Sequence, residues 1–408
     1  MAGFEEFDVA HQLLLACSLA PPAVDISGTV TRLAGRVRRW DEFLASVENN
    51  QLRPAVASRL TREAAGSCVP SAVIDRMSNA AHALAGRGLF MGAELVRILD
   101  ALHAAGIVAV ALKGPAFAEF SGGGMGSREL ADLDVLIRPS DIGRSVGVLS
   151  AIGYECLLPP QAVRSAWLAR TTWELPLIAR RGAALLELHW SLAPRWFPAP
   201  VIAEDVMASA VHRVFAGSRI VWPAAEELFL IHAADGMKSG GVSIRWLADL
   251  AAVLRVGEID WQRARDIASR NGGLNVLRVA LTVADTLAST AAKSLRLSDL
   301  AIELPDAGRA LLEDVPANLR LARAVEAICR RLGTDSRIDG PVPHFRWSLQ
   351  VADRRLRAAM IIARYVSGPT VADLAALPAE GLADIPLRLR AFRRRLTATL
   401  GTARTVVR

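Results

Sequence analysis

Two aspartates at alternate positions of an apolar run, Asp132-Leu133-Asp134-Val135-Leu136-Ile137, constrain this chain more than any other segment. Such a run reads as a strand, from Leu133 to Arg138, and a strand sends alternate side chains to one face. Asp132 and Asp134 then point the same way. Side by side they repel, and a divalent metal is the usual means of neutralising them. The plainer alternative is a strand that begins in a loop, with Asp132 a turn residue and Asp134 solvated.

The surroundings give the strand a context. Ile107 to Leu112 is a second short, β-branched run, and it ends at Lys113-Gly114-Pro115, where Pro115 suits the first turn of a helix over Ala116 to Phe120. Ser121 to Gly126 is a glycine-rich loop. A helix from Pro139 to about Ile152 is stopped by Gly153. Glu174 to Arg180 and Ala184 to Trp190 read as two strands around the turn Arg181-Gly182. On both sides the pattern is helical. Before it, apolar residues recur at helical spacing in Glu5–Leu19, Thr29–Val47, Pro54–Ala65 and Ser71–Ala105, the last with a break expected near Gly86 and Gly88. After it, Ala224–Ala234, Ser243–Val256, Trp261–Arg270, Asn275–Ala288 and His344–Val366 are the clearest helices. The expected class is α+β: a small α/β core over 105–200, an N-terminal helical region over 1–104 and a C-terminal helical region over 201–408.

Composition narrows the partners. Just over half of the 408 residues are apolar, enough for a large core and against extended disorder. The net charge of +7 comes largely from arginine, with a late concentration at Arg354, Arg355, Arg357, Arg388, Arg390 and Arg393 to Arg395. These read as a solvated helix face or as a patch for a polyanion or lipid headgroups. Basic and aromatic residues do not interleave as they do in base-stacking surfaces, which argues against a nucleic-acid acceptor. Four scattered cysteines, Cys17, Cys68, Cys156 and Cys329, form no metal-binding pair and imply reduced thiols in a cytoplasmic protein. Acids near the start argue against a secretory signal, and no long uncharged apolar run marks a transmembrane helix.

Further residues bear on the chemistry. In Leu185-Leu186-Glu187-Leu188-His189-Trp190, Glu187 and His189 share one face and the leucines the other. Glu187 is either a solvated outward residue or a third carboxylate completing a metal cage. Lys113-Gly114, where strand meets helix, lets a phosphate approach the backbone and supplies a point charge, or serves only the turn. Arg128 either clamps a triphosphate or neutralises a nearby carboxylate. His189 orients a substrate, acts as a base or simply packs. His232 is a core histidine or a functional one, and Asp249 caps a helix contact or bridges domains. No nucleophile elbow, Walker A loop or HExxH motif is present.

The order Leu112-Lys113-Gly114, Arg128, then Asp132-Leu133-Asp134-Val135-Leu136-Ile137 resembles the signature of the uncharacterised bacterial nucleotidyltransferase family of the polymerase-β-like superfamily. Glu187-Leu188-His189-Trp190 is similar to a later strand of that family. Leu228 to His232 and Arg245 to Leu250 are similar to its following helical region, and Arg364-Tyr365, Asp373 and Leu377-Pro378 to its tail. Two positions depart: Lys113-Gly114-Pro115 replaces the superfamily's Gly-Ser, and Lys238 stands where relatives often carry a second histidine.

The resemblance implies a polymerase-β-like nucleotidyltransferase core. It implies transfer of a nucleoside monophosphate from a nucleoside triphosphate, dependent on two Mg²⁺ ions, with Mn²⁺ as the alternative. Asp132, Asp134 and Glu187 would hold the metals and act in catalysis, Lys113, Gly114 and Arg128 would face the nucleotide, and His189, His232 and Asp249 would support the acceptor. The expected acceptor is a small molecule, a sugar or a peptide. Two other functions stay open: an idle nucleotide-binding or regulatory protein, and a sugar transferase that modifies a peptide from a nucleotide-linked donor.

Overall fold

The computed structural model describes residues 7–21, 23–63, 68–163, 168–180, 184–256, 258–295, 304–332, 347–353 and 360. The late arginines, the tail positions 364–378 and the turn Arg181-Gly182 lie outside the described residues, as does most of the expected helix from His344.

The N-terminal region is helical: α1 (Val9–Leu19), α2 (Ser27–Ala34), α3 (Trp40–Asn49), α4 (Arg53–Glu63) and α5 (Ser71–Ala104). Asp8 caps α1 by accepting from the backbone N–H of His11. The single helix expected over Thr29–Val47 is two. The chain turns at Gly35 through bonds from Arg36 to Leu33 and from Val37 to Ala34, where a polar stretch offers no face to bury. The break expected near Gly86 and Gly88 is absent, and α5 runs unbroken for 34 residues. Gly88 serves close packing instead, since a Cβ there would lie 2.2 Å from the carbonyl oxygen of Met125.

The sheet follows. Its elements are β1 (Val110–Ala111), α6 (Gly114–Phe120), β2 (Asp132–Leu136), α7 (Ile142–Ala151), β3 (Tyr154–Cys156), α8 (Pro160–Val163), α9 (Leu168–Thr171), β4 (Glu174–Ala179), β5 (Leu185–His189), α10 (Ala203–Ser209), β6 (Val211–Phe215) and β7 (Ser218–Trp222). The strand order is β3-β4-β5-β2-β1-β7-β6. Strands β2 and β5 run parallel, as do β1 and β7, and the other neighbours are antiparallel. The run from Ile107 supplies only a two-residue strand. Val110 pairs with Leu136, the last residue of β2, so earlier residues of the run have no partner there. The β6–β7 hairpin, with Ala216 and Gly217 both at positive φ in its turn, adds two strands from beyond residue 200.

Beyond the sheet come α11 (Ala225–Lys238), α12 (Ile244–Val256), α13 (Trp261–Asn271), α14 (Leu274–Leu295), α15 (Asp306–Ala317) and α16 (Leu319–Arg331). Side chains from all three regions join one continuous apolar core: Leu13 and Phe43 from the N-terminal helices, Leu133, Val135, Leu186 and Leu188 from the sheet, and Phe229 and Leu281 from the later helices. The architecture is α+β, a mixed seven-stranded sheet flanked by helices, the class expected. Among the described residues no helix is long and apolar enough to cross a membrane.

Candidate active site

The parallel register of β2 and β5 assembles the site. Asp134 lies opposite Glu187 and Leu136 opposite His189, so the even-numbered positions of β2 share a face with Glu187 and His189. The intervening Leu133, Val135, Leu186 and Leu188 are buried on the other face. One residue of slippage would bury the carboxylates among leucines, so the alternation itself fixes the register.

His189 stands at the centre of this acidic face. Its Nε2 is 3.1 Å from Asp134 Oδ1 and 3.6 Å from Glu187 Oε2, and its Nδ1 lies 3.5 Å from Glu174 Oε2. Glu174 comes from β4, directly opposite His189. The ring is buried, which disfavours its charge, yet hydrogen bonding to Asp134 and Glu187 overcomes that and raises its pKa to about 9. The carboxylates thus favour the protonated ring, and a divalent ion that takes Nε2 as a ligand would displace its proton. Burial likewise works against ionised Asp134, but Lys113 and the bond to His189 hold its carboxyl well below the usual range. For Asp132, burial together with repulsion from Asp134 and Glu187 raises the pKa to about 6.

These residues suit a divalent cation. Asp134, Glu187 and His189 each offer a ligand atom, all within 4.8 Å of one another. Adjacent ligands of an octahedral ion with bonds of about 2.1 Å stand about 3.0 Å apart, close to the spacing of His189 Nε2 from its two carboxylates. Two carboxylate oxygens and an imidazole nitrogen are a donor set of the kind a divalent cation takes. Asp132 lies outside this tight group. It lines the adjoining cleft with Asp134 and Glu187.

That cleft has a volume of about 520 Å³. Its cations are Lys113, Arg128, Lys238 and Arg245. Lys113 Nζ and Lys238 Nζ each lie 2.9 Å from the same oxygen of Asp235, so one carboxylate on α11 holds two ammonium groups at the carboxylate face. These charges hold the Asp235 carboxyl well below its usual range against the effect of burial. Gly114 opens α6 at φ +67, and a Cβ there would meet nothing closer than 3.7 Å, so backbone conformation rather than space calls for glycine.

Arg128 lines the cleft as well and is held in an ion pair. It neutralises a carboxylate, and that carboxylate is Asp249 on α12, to which Arg128 Nε donates at 3.1 Å while Nη2 donates to the other oxygen. Its guanidinium also lies 5.2 Å from the centre of the Phe117 ring. Arg245 Nε approaches the same Asp249 at 3.9 Å and its other end bonds Gln51. Asp249 thus bridges the core to the C-terminal helices. His232 is not in the cleft. It is buried against Phe117, ring centres 4.4 Å apart, and burial lowers its pKa to about 4.

The sequence reading missed Asp235, Glu174 and Gln51 as members of the site. Asp235 precedes Lys238 by three residues, the spacing of a helical ion pair, which was available as a charge signal though not as a hydrophobic one. The model of a family described as uncharacterised nucleotidyltransferase matches residues 37–289, more than half of the chain, and the chain belongs to that family. Comparison with curated proteins and with solved structures returned no match.

Proposed function

We propose that this protein transfers a nucleoside monophosphate from a nucleoside triphosphate to a small-molecule, sugar or peptide acceptor, and that it does so with Mg²⁺ or Mn²⁺. The observation that carries the reading is the paired register of Asp134 and Glu187, with His189 between them, at the edge of a cleft that also presents Lys113, Lys238 and Arg245. A bound divalent ion would supply charge stabilisation to the phosphates and lower the pKa of an acceptor hydroxyl. Asp134, Glu187 and His189 would hold it, with Asp132 beside them.

The chain's own part is orientation. Lys113 and Lys238 offer point charges to the triphosphate, already positioned by Asp235. Arg245 adds a third cation, and Gly114 brings the backbone of α6 close to the same space. Arg128 positions Asp249 and Arg245 rather than gripping phosphate alone. Attack of an acceptor hydroxyl oxygen on the α-phosphorus forms one P–O bond, breaks another and releases pyrophosphate. The hydroxyl proton leaves to solvent or to a carboxylate of the cleft.

Pyrophosphate release measured with each nucleoside triphosphate, together with calorimetric nucleotide binding with and without Mg²⁺, tests this. Asp134→Ala and Glu187→Ala are expected to abolish release while the fold persists. Release that survives both substitutions would refute the site. Tight nucleotide binding with no product from any acceptor would instead indicate an idle binding protein, and a hexose mass on a peptide acceptor would indicate sugar transfer.

A further inference from the structure

Strands β4, β5 and β2 are neighbours in the sheet and lay polar residues side by side on the carboxylate face. Asp134 on β2 is level with Glu187 on β5, and His189 on β5 is level with Glu174 on β4. Leu175 and Leu177 of β4 are buried on the opposite face, so the alternation that turns Glu187 toward the site turns Glu174 there too. Glu174 nevertheless supplies none of the three clustered ligand atoms, which belong to Asp134, Glu187 and His189.

The His189 ring stands between two sets of carboxylates. Its Nε2 is turned toward Asp134, at 3.1 Å, and Glu187, at 3.6 Å. Its Nδ1 is turned toward β4, where Glu174 Oε2 lies 3.5 Å away. That Nδ1 is buried and makes no hydrogen bond to any described residue. A buried ring N–H left without an acceptor is costly, and most buried polar atoms have a partner. The separation from Glu174 is a few tenths of an ångström longer than an N–H···O bond. The Glu174 side chain is a quarter exposed, so it can turn toward the ring without disturbing the core.

A histidine that gives Nε2 to a metal keeps its remaining ring proton on Nδ1. Metal-bound histidines almost always donate that N–H to a carboxylate, a carbonyl or water, and the bond fixes both the tautomer and the ring plane. We propose that Glu174 is the positioning residue of the metal site: it accepts the Nδ1–H of His189 and so holds the ring where Nε2 faces a divalent ion beside Asp134 and Glu187. This role rests on the metal-dependent reading of the site and adds to it a residue that acts only through His189. Glu174 also brings a negative charge near the ion, and the two contributions are separable. Glutamine keeps an acceptor oxygen and loses the charge, whereas leucine loses both at nearly the same size.

Mn²⁺ is the probe, because its electron spin reports a directly bound nitrogen. The full chain is titrated with Mn²⁺ by calorimetry, and pulsed electron paramagnetic resonance reads the nitrogen coupling. The native chain is expected to bind Mn²⁺ with a coupling that His189→Ala abolishes. Glu174→Leu and Glu174→Ala are each expected to weaken Mn²⁺ binding about tenfold or more and to diminish the coupling. Glu174→Gln is expected to keep the coupling and to stay within about threefold of the native affinity. Circular dichroism establishes that the variants are folded, and either apolar variant, set beside Glu174→Gln, decides the point. Native affinity and coupling in a folded Glu174→Leu or Glu174→Ala overturns the role. A loss in Glu174→Gln as large as in Glu174→Leu also overturns it, because charge rather than orientation is then what Glu174 supplies. Mn²⁺ bound to the native chain without nitrogen coupling removes His189 from the ligands and the role of Glu174 with it. A native chain that takes up no Mn²⁺ overturns this role and the metal reading together. None of these measurements needs nucleotide or turnover, so an absence of pyrophosphate release would refute the transferase reading while the Mn²⁺ data still decide the part played by Glu174.

Discussion

At the scale of single residues, the site is a set of buried charges that are stable only in combination. Arg128 and Asp249 are nearly buried, and Arg245 leans on the same carboxylate. Removing one member of a buried pair leaves an uncompensated charge, typically at about 3–5 kcal/mol. Here the two losses differ. Arg128→Leu leaves Asp249 with Arg245 beside it, whereas Asp249→Leu leaves two guanidinium groups facing each other; Arg128 already lowers the pKa of Arg245, after the larger effect of burial. Urea denaturation is expected to show the larger loss for Asp249→Leu and a smaller loss for the double variant than for Asp249→Leu alone. Equal single losses that simply add would show that the three groups are uncoupled. His232 makes a pH-dependent contribution of known sign. Its folded pKa is about 4, below the ordinary 6.5, so its contribution is fully present above pH 6.5. It is lost as pH falls through that window, because the unfolded chain takes up a proton that the folded chain refuses. Each pH unit within the window is worth at most about 1.4 kcal/mol. His232→Phe, which keeps an aromatic ring against Phe117, is expected to flatten the fall in stability between pH 6.5 and 4 and to leave the slope above pH 7 unchanged; an identical slope in both proteins would remove His232 from the account.

At the scale of elements, α11 and α12 are joined at a point without slack. A Cβ on Gly236 would sit about 2 Å from the Trp246 ring, whose Nε1 donates to the His232 carbonyl at 2.8 Å. Gly236→Ala must push α12 away from α11 or turn the indole out of its bond, and overpacking of this kind typically costs about 1–3 kcal/mol. Since Gly236 lies between Asp235 and Lys238 on the cleft, the same variant is expected to weaken nucleotide binding as well as stability, read by calorimetry and urea denaturation; full stability would mean that the two helices separate freely. The elements also show what could be read in advance. Strands β2 and β5 were legible because each alternates a functional residue with a buried leucine or valine, and that alternation placed Asp132, Asp134, Glu187 and His189 on one face. The β6–β7 hairpin was not. Val211 to Val214 are all exposed, so no alternation marks β6, and its turn is Ala216-Gly217 rather than Asn-Gly. Asp235 escaped for the opposite reason. Nearly every residue of α11 from Glu226 to Met237 is buried, so its periodicity singles out no face. The Arg128–Asp249 pair joins positions 121 residues apart, and nothing local in the sequence couples them.

At the scale of the whole molecule, the cleft belongs to no single region. Gln51 comes from the N-terminal helices, Lys113, Arg128 and the strand carboxylates from the sheet, and Asp235, Lys238, Arg245 and Asp249 from the helices that follow. The regions are also tied directly. Arg53 reaches the buried Glu129 with its backbone N–H at 2.9 Å and its Nε at 3.0 Å, and Asn50 accepts from the backbone N–H of Ile244 at 2.9 Å. The family match begins at residue 37, so it takes in α3 and α4 with the sheet. These links predict that the N-terminal helices and the sheet unfold together, and that the expected boundary near residue 104 separates patterns rather than cooperative units. Arg53→Ala isolates the point, because it leaves the Glu129 carboxylate buried and short of two donors, at a cost of about 1–3 kcal/mol. If the molecule is one unit, hydrogen exchange will show the slowest amides of α1 to α4 and those of β2 and β5 losing protection by the same free energy in that variant. Loss confined to the N-terminal helices would show that they open on their own, and that Gln51 comes and goes with them while the carboxylate face stays in place.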